Sequence, residues 1–288
     1  MNCKTIAVAA GLSIALNTTP LLAAGAQYRV TFDATWSEQT HPTVFPENPH
    51  FSGLVGGTHN ASVQFWTPGE TSSSGIERMA ELGQKSVLLD EVNAAVTAGA
   101  AFSTVDGPGI VPSPNTAFTD FSMHSRFPLA TVVTMIAPSP DWFVGVRGQQ
   151  LHENGVWLDN VVVDLLPYDA GTDNGVSFTS PDDNTFPRQP IAQITGFPFQ
   201  NAPPLGTFTF TLLSATVPGD FDGDGDVDQT DFGHFQRCLT GPSTVQDDPT
   251  CIEALLDEDN DVDLDDFGLF QSCMSGPDVP GNVDCAAH

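Results

Sequence analysis

The sequence predicts a mainly β fold, a β-sandwich followed by a small α domain built on calcium loops, and three observations carry that prediction. Between residues 27 and 216, short runs rich in β-branched and aromatic residues alternate with Gly, Pro, Asn and Asp, the punctuation of a sandwich. From Pro218 onward an acidic segment repeats itself at a constant offset of 35 residues. Every cysteine except Cys3 lies in that repeated segment.

Taken in chain order, the first 26 residues have a short polar start with one lysine, an apolar run from Ile6 to Leu16, and small residues at Ala24, Gly25 and Ala26. That is the layout of a secretory signal peptide, cleaved after Ala26 or Ala24. The apolar run falls short of the roughly 20 residues that span a bilayer. No later stretch is long enough either, so a secreted, extracellular or cell-surface chain without a membrane span is expected. Strands are then predicted at YRVTF (28–32), SVQFW (62–66), TVVTMI (131–136), WFVGV (142–146), VVVDLL (161–166) and GTFTFTLL (206–213). Ile76, Met79, Ala80 and Leu82 follow the serine-rich turn at helical spacing, and a second helix is expected over Lys85 to Ala98. FQNAPPLG (199–206) reads as a loop before the last strand, and VPGD (217–220) as the boundary between domains 27–216 and 218–288.

In the tail, DFDGDGDVDQTDFGHFQRC (220–238) aligns with LLDEDNDVDLDDFGLFQSC (255–273). A calcium ion takes six to eight oxygens, and a 12-residue loop supplies them from positions 1, 3, 5, 7, 9 and 12, with a tight turn at 6. The first copy fills every position with Asp220, Asp222, Asp224, the carbonyl of Asp226, Asp228 and Asp231, and puts Gly225 at the turn. Val227 at position 8 is expected to anchor the loop to its partner. Phe232, Phe235 and Leu239 predict an exit helix with one apolar face. The second copy offers Asp257, Asp259, the carbonyl of Asp261, Asp263 and Asp266, but Leu255 replaces the first carboxylate and Asn260 takes the turn position. Asn tolerates positive φ, so the turn is expected to survive with weaker calcium affinity. Alternating spacing, a glycine at the required place and repetition separate this pattern from an acidic run that merely solvates a tail.

The formal charge is −28, and residues 218–288 hold eighteen Asp and Glu against the single Arg237. Such a surface repels nucleic acid and anionic lipid and attracts multivalent cations. Cys238, Cys251, Cys273 and Cys285 in a small exported segment imply two disulfides with three possible connectivities; repeat symmetry favours Cys238 with Cys251 and Cys273 with Cys285. Histidines His41 and His59 read as hydrogen-bonding turn residues, and Trp36, Trp66, Trp142 and Trp157 as core or sheet-face residues.

Two resemblances add to this reading. With Asp at position 12 and a helix following at once, the tail is similar to the dockerin type I repeat, an EF-hand-like module folded by calcium that docks onto cohesin domains. That resemblance implies a cohesin-type or cell-envelope partner, and Leu255 and the four cysteines depart from its pattern. The stretches YRVTFDATWSEQTHP (28–42), FSGLVGGTHN (51–60), GIERMAELG (75–83), PSPDWFVGV (138–146), LLPYDAGTDNG (165–175) and SFTSPDDNTFPRQPI (177–191) resemble the spondin N-terminal domain of F-spondin and mindin. The resemblance implies a C2-like sandwich with one calcium held at one end by Asp141, Asp169 and Asp173. The residues agree, since Asp169 and Asp173 lie in one glycine-rich loop where two carboxylates repel unless a cation sits between them. There is no GxSxG, HExxH or P-loop. The expected function is therefore non-enzymatic: calcium-dependent adhesion or recognition of an extracellular surface protein, glycan or matrix component.

Overall fold

The computed structural model describes residues 25–257 and 259–286, so the expected leader up to residue 24 lies outside the described residues. In chain order the strands are β1 (Gly25–Ala34), β2 (His50–Phe51), β3 (Val55–His59), β4 (Ala101–Asp106), β5 (Asn115–His124), β6 (Leu129–Ala137), β7 (Trp142–Gln150), β8 (His152–Glu153), β9 (Val156–Trp157), β10 (Asn160–Asp164), β11 (Tyr168–Asp169), β12 (Ala192–Gln193) and β13 (Gly206–Ala215). Helices α1 (Ser74–Leu82) and α2 (Ser86–Thr97) lie between β3 and β4, and α3 (Gln229–Cys238) and α4 (Leu264–Cys273) close the chain.

Two sheets face each other. One has the order β10-β13-β1-β5; the other runs β12-β11-β7-β6-β3-β4, with β2 added on β6. Strand β1 alternates, sending Tyr28, Val30 and Phe32 inward while Arg29 and Thr31 face out, as a strand with one wet face must. Its inward side chains meet Ala130, Val132, Ile136, Val144 and Val146 of the second sheet in the main core. Strand β6 is buried almost throughout because its other face is covered too. There α1 and α2 lay Ile76, Met79, Leu88 and Val92 onto Val55, Val133, Met135 and Phe143. Helix α1 starts where the Ser73 hydroxyl accepts from the Ile76 amide, and stops at Gly83 in the left-handed region at φ 65°.

The expected strand at 62–66 is not one. Phe65 and Trp66 are buried in the helix-side core from an irregular segment, so the alternating pattern reports a loop folded over that core rather than a ladder. Glycine-bearing β3 and the strands β4 and β5 were not anticipated. Gly56 of β3 fits because a Cβ there would lie 1.8 Å from the Thr131 carbonyl oxygen of β6. All four tryptophans are at most 6% exposed, so they are core residues. Leu82 is 51% exposed and lies outside the apolar face expected of α1.

The tail has its own core of Val227, Phe235, Leu255, Val262 and Phe270. Disulfides join Cys238 to Cys251 and Cys273 to Cys285, the symmetric pairing. Leu239 does not extend the apolar face of α3; it follows the helix in extended conformation and is 49% exposed, while Cys238 is buried in its stead. Among the described residues no helix is long and apolar enough to cross a membrane.

Candidate calcium sites

The sandwich site is assembled by strand pairing. Asp141 ends the turn from β6 into β7, and Asp169 sits on β11, paired with Trp142 at the start of β7. The Ala170 amide donates to the Asp141 carbonyl at 3.1 Å, which draws the 170–174 loop over the turn. Asp141 is fully buried. Its Oδ2 accepts from the amides of Thr172 (2.7 Å) and Asp173 (3.1 Å) and from the Thr172 hydroxyl (3.2 Å), while Oδ1 is buried without a hydrogen-bond partner. Desolvation, with repulsion from Asp169, pushes the Asp141 carboxyl up to about 6. Desolvation also raises Asp169, and Asp173 adds repulsion.

Asp169 Oδ1 accepts from Gly171 at 2.8 Å, and Asp173 accepts from Gly175 (2.6 Å) and Asp183 (2.8 Å). The three predicted residues thus share one end of the sandwich, but their oxygens do not all converge within 4.8 Å of one another. A buried carboxylate oxygen without a donor, in a group repelled by a second carboxylate, is the chemistry a hard cation satisfies, and the trio fits calcium on that ground. Two residues escaped sequence reasoning. Thr172 holds Asp141 by amide and hydroxyl, and Arg188 bridges the Thr172 carbonyl to Glu77 of α1, bracing the loop against the helix. Thr172 had a local signal, its place between Asp169 and Asp173. The bracing role of Arg188 had none, because Thr172 and Glu77 lie 16 and 111 residues away.

In the first tail loop, Asp220, Asp222 and Asp231 each place an oxygen within 4.8 Å of the others, and so do Asp226, Asp228 and Asp231. Asp231 is 1% exposed; its Oδ1 accepts from Phe221 (2.7 Å) and its Oδ2 from Asp228 (2.9 Å), closing a capping box with Asp228 at the start of α3. Asp220 accepts from Gly223 and Gly225, the latter at φ 95°. Asp224 accepts from the Asp226 amide at 3.1 Å and is in neither group.

The second loop repeats this with Asp257, Asp259 and Asp266, and with Asp261, Asp263 and Asp266. Asp266 is fully buried and desolvation pushes its carboxyl up to about 6. Leu255, standing where the first ligand would be, is a core residue at 3% exposure. The turn does not use positive φ at Asn260, contrary to expectation. Asn260 is instead held from both sides: its Oδ1 accepts from Arg126 of the sandwich at 2.8 Å and its carbonyl from the Gln246 amide at 2.8 Å.

Val227 packs in the tail core with Leu255 and Val262 of the other repeat. Its carbonyl accepts from Ser275 and Gly276 and its amide donates to the Ser275 hydroxyl, so its backbone is also tied to the chain after α4. Val262 mirrors this with Thr240 and Gly241 after α3. The repeat therefore extends past the cysteines into Thr240-Gly241-Pro242 and Ser275-Gly276-Pro277, and each loop is sealed by the other repeat's exit segment.

A two-sheet sandwich with a helical flank and carboxylate-bearing loops at one end defines the class of this domain. The spondin N-terminal domain family (Spondin_N) matches residues 26–205, more than half of the chain. The chain is 34% identical over 197 residues to Spondin-2 of Rattus norvegicus, covering 67% of this chain and 59% of that protein. It is 35% identical over 188 residues to Spondin-1 of Homo sapiens, covering 62% of this chain and 23% of that protein. The match thus spans about three fifths of the one relative and under a quarter of the other. The chain belongs to the spondin N-terminal domain family.

Proposed function

We propose that this chain is a secreted, extracellular protein, not an enzyme, that attaches to or recognises a surface protein, glycan or matrix component, with calcium as the structural ion of both domains. The observation that carries the adhesion reading is the spondin family match across the sandwich. The fully buried Asp141, with one oxygen lacking a donor beside Asp169, supports calcium there. In this reading Asp141, Asp169 and Asp173 hold one ion and the tail loops hold others; the ion cancels carboxylate repulsion and fixes the loops, and the surrounding amides orient the ligands. Export with cleavage after Ala24 leaves β1 whole, whereas cleavage after Ala26 removes two residues that pair with β5 and β13.

The test is binding of the purified chain to arrays of matrix proteins and polysaccharides, with calcium and with chelator. Calcium-dependent capture by at least one class is expected, and failure on every surface in both conditions would overturn the reading. A second reading rests on the two-fold tail: its dockerin-like loop-helix pairs form a docking tag for a cohesin-type or cell-envelope partner. Deleting 218–288 then releases the protein from the cell that makes it; unchanged retention rejects that role.

A further inference from the structure

Position 7 of each tail loop carries an aspartate, although the loop chemistry asks only for a carbonyl there. Both side chains are more than nine-tenths buried, Asp226 at 7% exposure and Asp261 at 8%. Each spends one oxygen in the same way. Asp226 Oδ2 accepts from the Asp278 amide and Asp261 Oδ2 from the Ser243 amide, both at 2.6 Å, and both donors sit at positive φ after the opposite helix. In each, Oδ1 is buried and has no hydrogen-bond partner. A desolvated carboxylate oxygen without a donor is costly, and here the cost recurs at equivalent positions of two repeats.

Each of these carboxylates also groups with those of positions 9 and 12: one oxygen apiece from Asp226, Asp228 and Asp231, and from Asp261, Asp263 and Asp266, lie within 4.8 Å of one another. In the second loop this group needs nothing from position 1, where Leu255 offers no oxygen. We infer that the position-7 aspartates are side-chain calcium ligands, and that Asp261 makes up in the second loop for the carboxylate lost at Leu255. The inference rests on the proposed calcium reading of the tail. It assigns Asp261 two jobs at once: Oδ2 ties the loop to the exit segment of α3, and Oδ1 binds the ion. Calcium occupancy of the second loop is then coupled to the seal between the repeats.

Calorimetric titration of the full chain with calcium tests this, using Asp261→Asn, Asp226→Asn and Asp259→Ala. Asparagine keeps an acceptor for the Ser243 amide and puts an amide nitrogen where the ligand oxygen stood. Asp259 is exposed, so its removal probes the loop without disturbing the core. Expected are loss of one site in Asp259→Ala and weakening of that same site by roughly tenfold or more in Asp261→Asn, since affinity follows ligand charge count. Asp226→Asn is expected to weaken the first-loop site less, because Asp220 remains. If Asp259→Ala removes a site while Asp261→Asn titrates like the parent, the position-7 inference fails and the loop reading stands. If neither variant changes the titration because the tail takes up no calcium, both fall. Unchanged far-ultraviolet circular dichroism in calcium establishes that each variant is folded.

Discussion

Asp141 is the side chain through which the proposed calcium would act on the stability of the sandwich. Its Oδ2 is satisfied by three donors and its Oδ1 by none, so the metal-free chain keeps a desolvated charge that calcium would offset. Calcium at a hundred times its Kd should therefore raise the stability of the sandwich by about 2.7 kcal/mol. All four tryptophans lie in the sandwich, so thermal unfolding followed by tryptophan fluorescence reads that domain. In Asp141→Asn the calcium-dependent rise of this transition should disappear; a full rise in the variant would remove Asp141 from the site. His124 gives a pH dependence of separate origin. It is 2% exposed, its Nδ1 accepts from the Arg126 amide at 3.1 Å, and its Nε2 has no partner. Burial, helped by the charges of Arg126 and His152, lowers it from 6.5 to about 4. The folded state holds this ring neutral, so its contribution is present above pH 6.5 and is lost as the pH falls from there to about 4. The loss is on the order of 3 kcal/mol. Denaturant titrations across that range should be steeper in pH for the parent than for His124→Asn. Asp169 and Asp173 stood out in the sequence as two carboxylates in one glycine-rich loop, whereas Asp141, 28 residues before Asp169, came only through the family resemblance. The roles of His124 and Arg188 did not stand out, because they depend on partners brought close only by folding.

Among the elements, β3 is the least obvious and the most constrained. The segment VGGTH lacks strand-forming bulk, yet it is fully buried between β4 and β6. Its glycines are there for clearance: at Gly56 any side chain meets the β6 backbone. Gly56→Ala should cost about 3 kcal/mol by forcing the two strands apart, measured as a lowered denaturation midpoint. A loss under 0.5 kcal/mol, the scale of a neutral surface change, would show that the sheet yields more readily than its packing implies. The same strand explains a gap in sequence legibility, since composition argues against VGGTH as a strand while the space between neighbours demands it. SVQFW fails in the opposite direction, having strand composition but finding its burial as a loop against the helix-side core. The strongly periodic elements, β1, β6, β7, β13, α1 and α2, were readable because one face or both must be apolar to close the sandwich. In the tail, the two disulfides each staple an exit segment to its helix. Replacing Cys238 and Cys251 with serine removes a closed loop of 13 residues' separation and should lower tail stability by about 3 kcal/mol. Urea unfolding followed by circular dichroism at 222 nm, where α3 and α4 contribute, measures it.

At the scale of the whole molecule, the tail is not a free appendage. Arg126, in the turn between β5 and β6, donates to Asn260 of the second loop, and a cavity of about 270 Å³ is lined by residues of both domains. His152 and Trp157 line it from the sandwich, and Leu256 and Asp257 from the tail. The second loop is thus the one turned toward the sandwich, and the arginine offers a counter-charge to an acidic module. An exposed hydrogen bond of this kind is worth about 1 kcal/mol and depends on the loop keeping its shape. If that loop holds the proposed calcium, removing the ion would leave its carboxylates repelling one another, free Asn260 and uncover Trp157. Chelation should therefore shift the tryptophan emission of the parent to the red. The shift should vanish in Trp157→Phe, which removes the reporter. In Arg126→Ala the emission in calcium should already resemble that of the chelated parent, because the link between the domains is cut while both cores stay intact. Emission from Arg126→Ala equal to the parent's in calcium, with the same shift on chelation, would mean that burial in the cleft alone holds the tail in place.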